Sequence, residues 1–248
     1  EAELGPIEIW VNAAMATAFG PVNKISAAEF KRVTDVTYLG FVHGTLAALR
    51  HMESRNRGTI VQVGSALSYR AIPLQSAYCA AKFAIRGFTD SLRCELIHTN
   101  SRVRLTMVQL PAHNTPQFDW IRTTLPRKAR PASPPYQPEV AAAAIHYAAH
   151  HRRKQIIVGF PSVEAIWGDR VASSALDHYL AATGVGGQQA QEAVGPDYKD
   201  NLYAPVPGDH GAHGRFDAIA RRRSPQLWMT KHRLALGAGA LLAAASAW

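Results

Sequence analysis

Apolar residues follow a strand pattern in one segment of the chain and a helix pattern in the next. A short run at 59–63, rich in β-branched residues and bounded by Gly58 and Gly64, is typical of a buried strand. From Tyr78 onward, apolar residues recur at three- and four-residue steps, the spacing of a helix with one buried stripe. That stripe consists of Ile85, Phe88, Leu92 and Leu96. The pattern predicts a buried strand followed by an amphipathic helix.

Three polar side chains flank this strand and this helix. Ser65 lies just past the predicted strand, at the sheet edge where ligands bind in open parallel sheets. Tyr78 and Lys82 are four residues apart and therefore share one helix face. A lysine ammonium within about 4–6 Å of a phenol lowers the phenol's pKa from its ordinary value near ~10. We therefore predict that Tyr78 is an acid/base, that Lys82 lowers its pKa, and that Ser65 holds a substrate oxygen.

A structural face is the alternative interpretation of the Tyr78/Lys82 pair. At ordinary lysine usage, roughly one tyrosine in seventeen has a lysine four residues later, so the pair alone is weak support. The combination is more specific: a strand, a serine, a loop containing Pro73, and then a helix that opens with Tyr and Lys. This combination favours the chemical interpretation.

In these residues the chain resembles the short-chain dehydrogenase/reductase family, over about residues 4–184. Ser65 and the pattern Tyr78-x-x-x-Lys82 match the family's catalytic residues at their usual spacing. Segments 7–15, 103–108 and 155–160 resemble strands of its sheet, and 114–116 fits the segment that covers the nicotinamide. The resemblance implies an α/β fold with a Rossmann-like, doubly wound parallel sheet. It also implies hydride transfer between a nicotinamide cofactor and a small alcohol or carbonyl substrate. The choice between NAD and NADP as the cofactor stays open.

The resemblance also assigns further site residues. A fourth catalytic position, an asparagine in the family, falls on Thr37, in a helix that begins with a capping box at Ser26. The residues assigned to the cofactor are Asn12, Ala13, Tyr78, Lys82, Pro111 and Thr115. The family's Asn-Asn-Ala-Gly is Asn12-Ala-Ala-Met15 here, and Thr37 offers a hydroxyl but no amide. These departures leave Ser65, Tyr78 and Lys82 untouched.

No Gly-rich turn follows a strand and opens a helix in this sequence, although such a turn brings backbone amides to a pyrophosphate. We therefore expect the later part of a longer protein, lacking the first βαβαβ unit of the fold. The expected division is 1–184 as the C-terminal portion of a dehydrogenase domain, 185–230 as a polar extension or linker, and 231–248 as a basic-flanked apolar tail.

The distribution of charged residues and cysteines limits the classes of binding partner and the cell compartment that we expect. The net charge of +9 comes from 27 basic and 18 acidic residues, but the basic residues are scattered among loops, so we expect no nucleic-acid binding. Cys79 and Cys94 lie fifteen residues apart in one predicted helix and cannot pair, which favours a reducing, cytoplasmic location. The stretch 209–213 holds an Asp and two His beside a Gly, and it predicts a surface turn rather than a metal site.

The apolar tail leaves two interpretations open. Residues 234–248 carry no charge and follow Lys231 and Arg233, so they predict either membrane contact or an Ala-rich helix packed on the domain or on a neighbouring subunit. Together with Phe118 and Trp120, the tail favours a lipophilic substrate. A homo-oligomer is implied by resemblance alone. The competing hypothesis is a catalytically inert or regulatory binding protein at a membrane, supported by the missing Gly-rich turn and by Thr37.

Overall fold

A parallel sheet forms the centre of the fold in the computed structural model, which describes residues 3, 5–132 and 134–238. The strands are β1 (Ile9–Asn12), β2 (Ala18–Phe19), β3 (Thr59–Ser65), β4 (Arg104–Leu110), β5 (Arg122–Thr123), β6 (Arg127–Ala129), β7 (Gln155–Ile157) and β8 (Gln189–Ala193). The helices are α1 (Ala27–Val33), α2 (Gly40–Glu53), α3 (Ser76–His98), α4 (Pro138–His150), α5 (Phe160–Gly187) and α6 (Pro225–Lys231). Strands β1, β3, β4 and β7 lie side by side in that order, all parallel.

Helices cover both faces of this sheet. Side chains of a strand alternate between faces, and here Ile60 packs in a cluster with α2 and α3 while Val61 packs in a cluster with α4. Alternating strands and helices with parallel pairing therefore produce a doubly wound α/β sheet. The predicted fold class is confirmed, as are the strand around 59–63 and the helix that carries Tyr78.

Strand β1 lies at one edge of the four-stranded sheet. Two of its side chains, Ile9 and Val11, are 39% and 42% exposed. Within the described residues, no strand pairs with the outer side of β1. The N-terminal βαβαβ unit expected from the sequence would continue the sheet at this edge, and that unit stays a prediction.

The extension that follows α5 folds back onto the domain, which differs from the linker expected over 185–230. Helix α5 runs three residues past the expected boundary, and Gly184 faces Pro73 so closely that a Cβ at this glycine would lie 2.7 Å from the proline ring. Strand β8 then pairs antiparallel with β6. Leu202 is fully buried. Strand pairing and the burial of Leu202 together hold this mostly polar segment on the domain.

Part of the expected apolar tail falls outside the described residues, at 239–248. Residues 233–238 are helical, and Leu234 is 78% exposed. Among the helices that the structure describes, none combines the length and the apolar character that crossing a bilayer requires.

Candidate active site

The end of β3 and the start of α3 bring Ser65 and Tyr78 together. Ser65 is the last residue of β3, and its hydroxyl accepts a hydrogen bond from the backbone N–H of Leu67, which caps a 3₁₀ turn at Ala66–Ser68. Tyr78 is the third residue of α3. The Ser65 side chain also lies near the phenol of Tyr78 and lowers its pKa. A serine hydroxyl and a phenol at neighbouring positions can both hydrogen-bond one substrate oxygen.

Lys82 lies one helical turn after Tyr78, beneath the tyrosine ring. Its side chain is buried, and Nζ lies 5.5 Å from the centre of the Tyr78 ring and 4.9 Å from the centre of the Phe41 ring. The Nζ group donates a 2.9 Å hydrogen bond to the backbone carbonyl of Val63 in β3. The shared helix face predicted from the four-residue spacing is therefore present, and β3 anchors the amine.

Burial shifts the pKa values of both groups toward the uncharged forms. It raises the pKa of the Tyr78 phenol, and the nearby Ser65 side chain offsets part of that rise. Burial lowers the pKa of the Lys82 amine to about 7. For Tyr78 this direction is opposite to the one expected from the sequence. The free energy lost when the phenolate is removed from water exceeds the stabilisation that nearby groups provide. The phenol is accordingly protonated at neutral pH.

These side chains line a cavity of about 460 Å³. Most of its walls are apolar, with contributions from Met15, Phe19, Leu67, Ile72, Phe118 and Ile121. Three predicted cofactor-binding residues, Ala13, Pro111 and Thr115, line it together with Ser65, Tyr78 and Lys82. An apolar cavity whose polar groups gather at few points is the usual form of a small-molecule site.

A sequence model of the short chain dehydrogenase family matches residues 1–125, half of the chain. The chain belongs to the short-chain dehydrogenase family. Among its relatives, the uncharacterized oxidoreductase YxnA of Bacillus subtilis is 34% identical over 157 residues, which are 62% of this chain and 44% of that protein. The 3-dehydrosphinganine reductase of Danio rerio is 30% identical over 128 residues, 52% of this chain and 38% of that protein. The chain thus spans less than half the length of these curated relatives.

Solved structures of the family share the fold. A short-chain dehydrogenase from Streptomyces avermitilis superimposes with a TM-score of 0.59 at 21% identity, covering 75% of this chain and 72% of that one. A short chain dehydrogenase from Burkholderia cenocepacia, solved in complex with NADP, gives the same TM-score at 24% identity, with coverage of 70% and 68%. At such identities the likeness establishes the arrangement of strands and helices.

Two site residues assigned through the family pattern, Asn12 and Thr37, are not among the residues that line the cavity. The Asn12 amide donates to Thr45 and to Gln62, at 3.0 and 2.9 Å. The Thr37 hydroxyl donates to the carbonyl of Ala16 and accepts from its N–H, at 2.8 and 2.9 Å. Their described contacts therefore hold the end of β1 and the loop after it, and the site roles expected from the sequence stay predictions.

The sequence did not reveal three other polar residues of this short-chain dehydrogenase cavity. Thr17, His113 and Ser162 all line it, and each has a buried polar atom without a hydrogen-bond partner among the described protein groups. A histidine five residues after the strand predicted at 103–108 is a weak signal that sequence alone offers. Whether such a side chain finds a partner depends on tertiary packing.

The histidines of the extension make protein contacts. His213 lies between two carboxylates, with Nε2 2.7 Å from Glu139 and Nδ1 3.3 Å from Asp217. The His210 ring packs edge-on against Trp120, with 4.4 Å between ring centres. Within the described part of the chain, no group of three or more His, Cys, Asp or Glu side chains could hold a metal ion.

The depressed pKa of Lys82 predicts a pH dependence of stability. Between the folded pKa of about 7 and the unfolded value near ~10.4, the unfolded chain binds more protons at this residue than the folded chain. Lys82 therefore makes the ligand-free protein more stable as pH rises through this window, with a slope of up to about 1.4 kcal/mol per pH unit. Urea unfolding of the wild type and of Lys82→Met at pH values of about 7 and 9 measures the difference. Parallel changes in the two proteins would contradict the prediction.

Proposed function

We propose that this chain carries the catalytic side chains of an NAD(P)-dependent oxidoreductase that interconverts an alcohol and a carbonyl compound. The observation that supports this most is that Ser65, Tyr78 and the buried Lys82 amine meet at the wall of a cavity of about 460 Å³, with Lys82 Nζ 5.5 Å from the centre of the Tyr78 ring. The sequence similarity of this chain to relatives named oxidoreductases agrees with the proposal.

Each of the three side chains has a distinct role in this proposal. Ser65 donates a hydrogen bond that orients the substrate oxygen. Tyr78 gives its proton to that oxygen during reduction and takes it back during oxidation. Because burial raises its pKa, the phenol rests in the protonated state that reduction requires. Lys82 lies under the ring, where a positive charge on Nζ stabilises the phenolate that remains after proton transfer.

The cavity suits the nicotinamide end of a dinucleotide. Ala13 and Pro111 supply apolar wall for a flat ring, while Thr115 and Lys82 supply hydrogen-bonding groups for a ribose or a carboxamide. When bound, the nicotinamide supplies or accepts the hydride. The described residues include no Gly-rich turn for the pyrophosphate, so the proposal concerns the nicotinamide end, and the choice between NAD and NADP stays open.

A lipophilic substrate is part of the proposal, because the cavity walls are largely apolar and Phe118 is one of them. Trp120, which the sequence placed beside Phe118, instead packs on His210. The relative named 3-dehydrosphinganine reductase agrees with an apolar carbonyl substrate. Assembly into a homo-oligomer and membrane contact through 234–248 stay predictions.

An absorbance assay of the purified full-length protein tests the function. Straight-chain ketones of increasing length are offered with NADH or NADPH, and the matching alcohols with the oxidised cofactors. We expect turnover, with kcat/KM rising with chain length as more apolar surface is buried. Turnover without a length trend would contradict the lipophilic substrate. A lack of turnover across the series, with neither dinucleotide bound, would favour an inert binding protein.

A further inference from the structure

The cavity holds two buried polar side chains whose hydrogen-bonding capacity the protein leaves unused. His113 lies three residues after β4 and is 7% exposed, and Ser162 in the first turn of α5 is fully buried. His113 Nε2 and Ser162 Oγ have no partner among the protein groups that the structure describes. Both residues line the cavity. The proposed roles of Ser65, Tyr78 and Lys82 do not involve either of them.

The hydrogen bond at Nδ1 of His113 determines whether Nε2 is a donor or an acceptor. Nδ1 lies 3.0 Å from the backbone carbonyl of Pro111. A carbonyl oxygen only accepts, so Nδ1 carries the ring hydrogen. Burial lowers the pKa of His113, with the Pro111 hydrogen bond offsetting part of that shift, so the ring is neutral at physiological pH. Nε2 is therefore a buried lone-pair acceptor on a residue that lines the cavity.

Tyr136 contacts both of the segments that carry these side chains. The centres of the His113 and Tyr136 rings are 6.3 Å apart. Gly159 packs so tightly on the Tyr136 ring that an added Cβ would lie 2.7 Å from it. The Ser162 N–H donates to the Gly159 carbonyl at 3.2 Å. The His113 ring and the start of α5, which carries Ser162, thus both pack around the buried Tyr136 ring.

The surroundings of this pair are apolar. The cavity that both residues line is also lined by Pro138, Ala141, Pro161 and Ala165. A buried acceptor without a partner costs free energy, which a ligand recovers if it brings a donor to that point. A carboxylate or a ketone oxygen only accepts and would face the lone pair of Nε2. A hydroxyl fits both groups, because it can donate to Nε2 while it accepts from the Ser162 hydroxyl.

We propose that His113 and Ser162 form a second recognition point for a hydroxyl group of the substrate. The substrate class is then an apolar carbonyl compound, or its alcohol product, that carries a further hydroxyl away from the reacting carbon. This proposal rests on the proposed function and adds the substrate class to it. A site built to hydrogen-bond a substrate hydroxyl discriminates strongly against the analogue that lacks it.

Matched ketones test this in the full-length protein. The probes are linear ketones that carry one hydroxyl at increasing separation from the carbonyl, each compared with the same ketone without the hydroxyl. For at least one hydroxy ketone, we expect kcat/KM in the wild type to exceed that of its match by about tenfold, the gain from one well-made hydrogen bond. His113→Leu and Ser162→Ala should each bring this ratio close to one. His113→Gln, which retains an acceptor oxygen, should keep part of the preference.

The exposed residues His98 and Ser91 supply matched controls, and His98→Leu and Ser91→Ala should keep the wild-type ratio. Turnover of plain ketones without preference for any hydroxy ketone would overturn the recognition point while leaving the proposed function intact. A lack of turnover on both series would overturn the proposed function itself. If His113→Leu raises KM for the dinucleotide and lowers turnover of both series equally, Nε2 meets the nicotinamide carboxamide, and the substrate assignment is overturned.

Discussion

Replacement of Tyr78 by Phe is expected to lower kcat/KM for carbonyl reduction by about 10²–10⁴-fold, the usual contribution of a positioned general acid. Phenylalanine retains the ring whose centre lies 5.5 Å from Lys82 Nζ, and removes only the hydroxyl near Ser65. The buried phenol rests in its protonated form, so its loss removes the proton that the forming alkoxide would receive. Dinucleotide binding should change little, because the hydroxyl is a small part of the cavity wall.

The measurement follows nicotinamide absorbance under saturating cofactor, with dinucleotide affinity determined separately by fluorescence. Tyr179→Phe is the matched control, since Tyr179 is 61% exposed on α5 and lies outside the cavity lining. A Tyr78→Phe protein that keeps kcat/KM within about threefold of the wild type would show that another group supplies the proton. That outcome would remove Tyr78 from the mechanism without affecting the family assignment.

Replacement of Leu202 by Ala is expected to destabilise the protein by about 2–5 kcal/mol, the range measured for buried leucines. Leu202 is fully buried in a cluster that includes Ile25, Val33 and Ala77. Its backbone carbonyl also accepts a 2.9 Å hydrogen bond from Arg32 on α1. Removal of three side-chain carbons leaves a cavity between the extension and α1, and the rigid helix cannot collapse to fill it.

Urea unfolding and the thermal midpoint Tm measure this loss. Tyr203→Ala changes the next residue, which is 60% exposed, and should cost less than about 0.5 kcal/mol. A Leu202→Ala protein as stable as this control would show that the extension contributes little to folding. It would then behave as the polar linker that composition alone predicts.

The candidate site was predicted from sequence where the chemistry depends on local spacing. The four-residue step from Tyr78 to Lys82 fixes a shared helix face whatever the rest of the chain does. The Ser26/Glu29 capping box formed as expected, with the Ser26 hydroxyl accepting from the Glu29 N–H and the Glu29 carboxylate accepting from the Ser26 N–H. Both are interactions within one turn of helix, so residue types and spacing suffice to predict them.

The sequence predicted less about side chains whose contacts are with residues far away along the chain. The sequence does not show that the Asn12 amide donates to Thr45 and Gln62, residues 33 and 50 positions away in sequence. The pKa of Tyr78 also moved against expectation, because spacing reports the nearby amine but not how far the phenol is removed from water. Burial is a property of the whole fold.

The sequence by itself determined the family, the alternation of strands and helices, and the shared helix face of Tyr78 and Lys82, because periodicity and short-range spacing encode these directly. The tertiary structure alone decided that the polar extension packs on the domain with Leu202 buried, and that His113 and Ser162 line the cavity while His113 Nε2 and Ser162 Oγ have no partner among the described protein groups. Those outcomes depend on which groups, far apart along the chain, meet and exclude water. These contacts form only when the sheet, the helices and the extension are packed together.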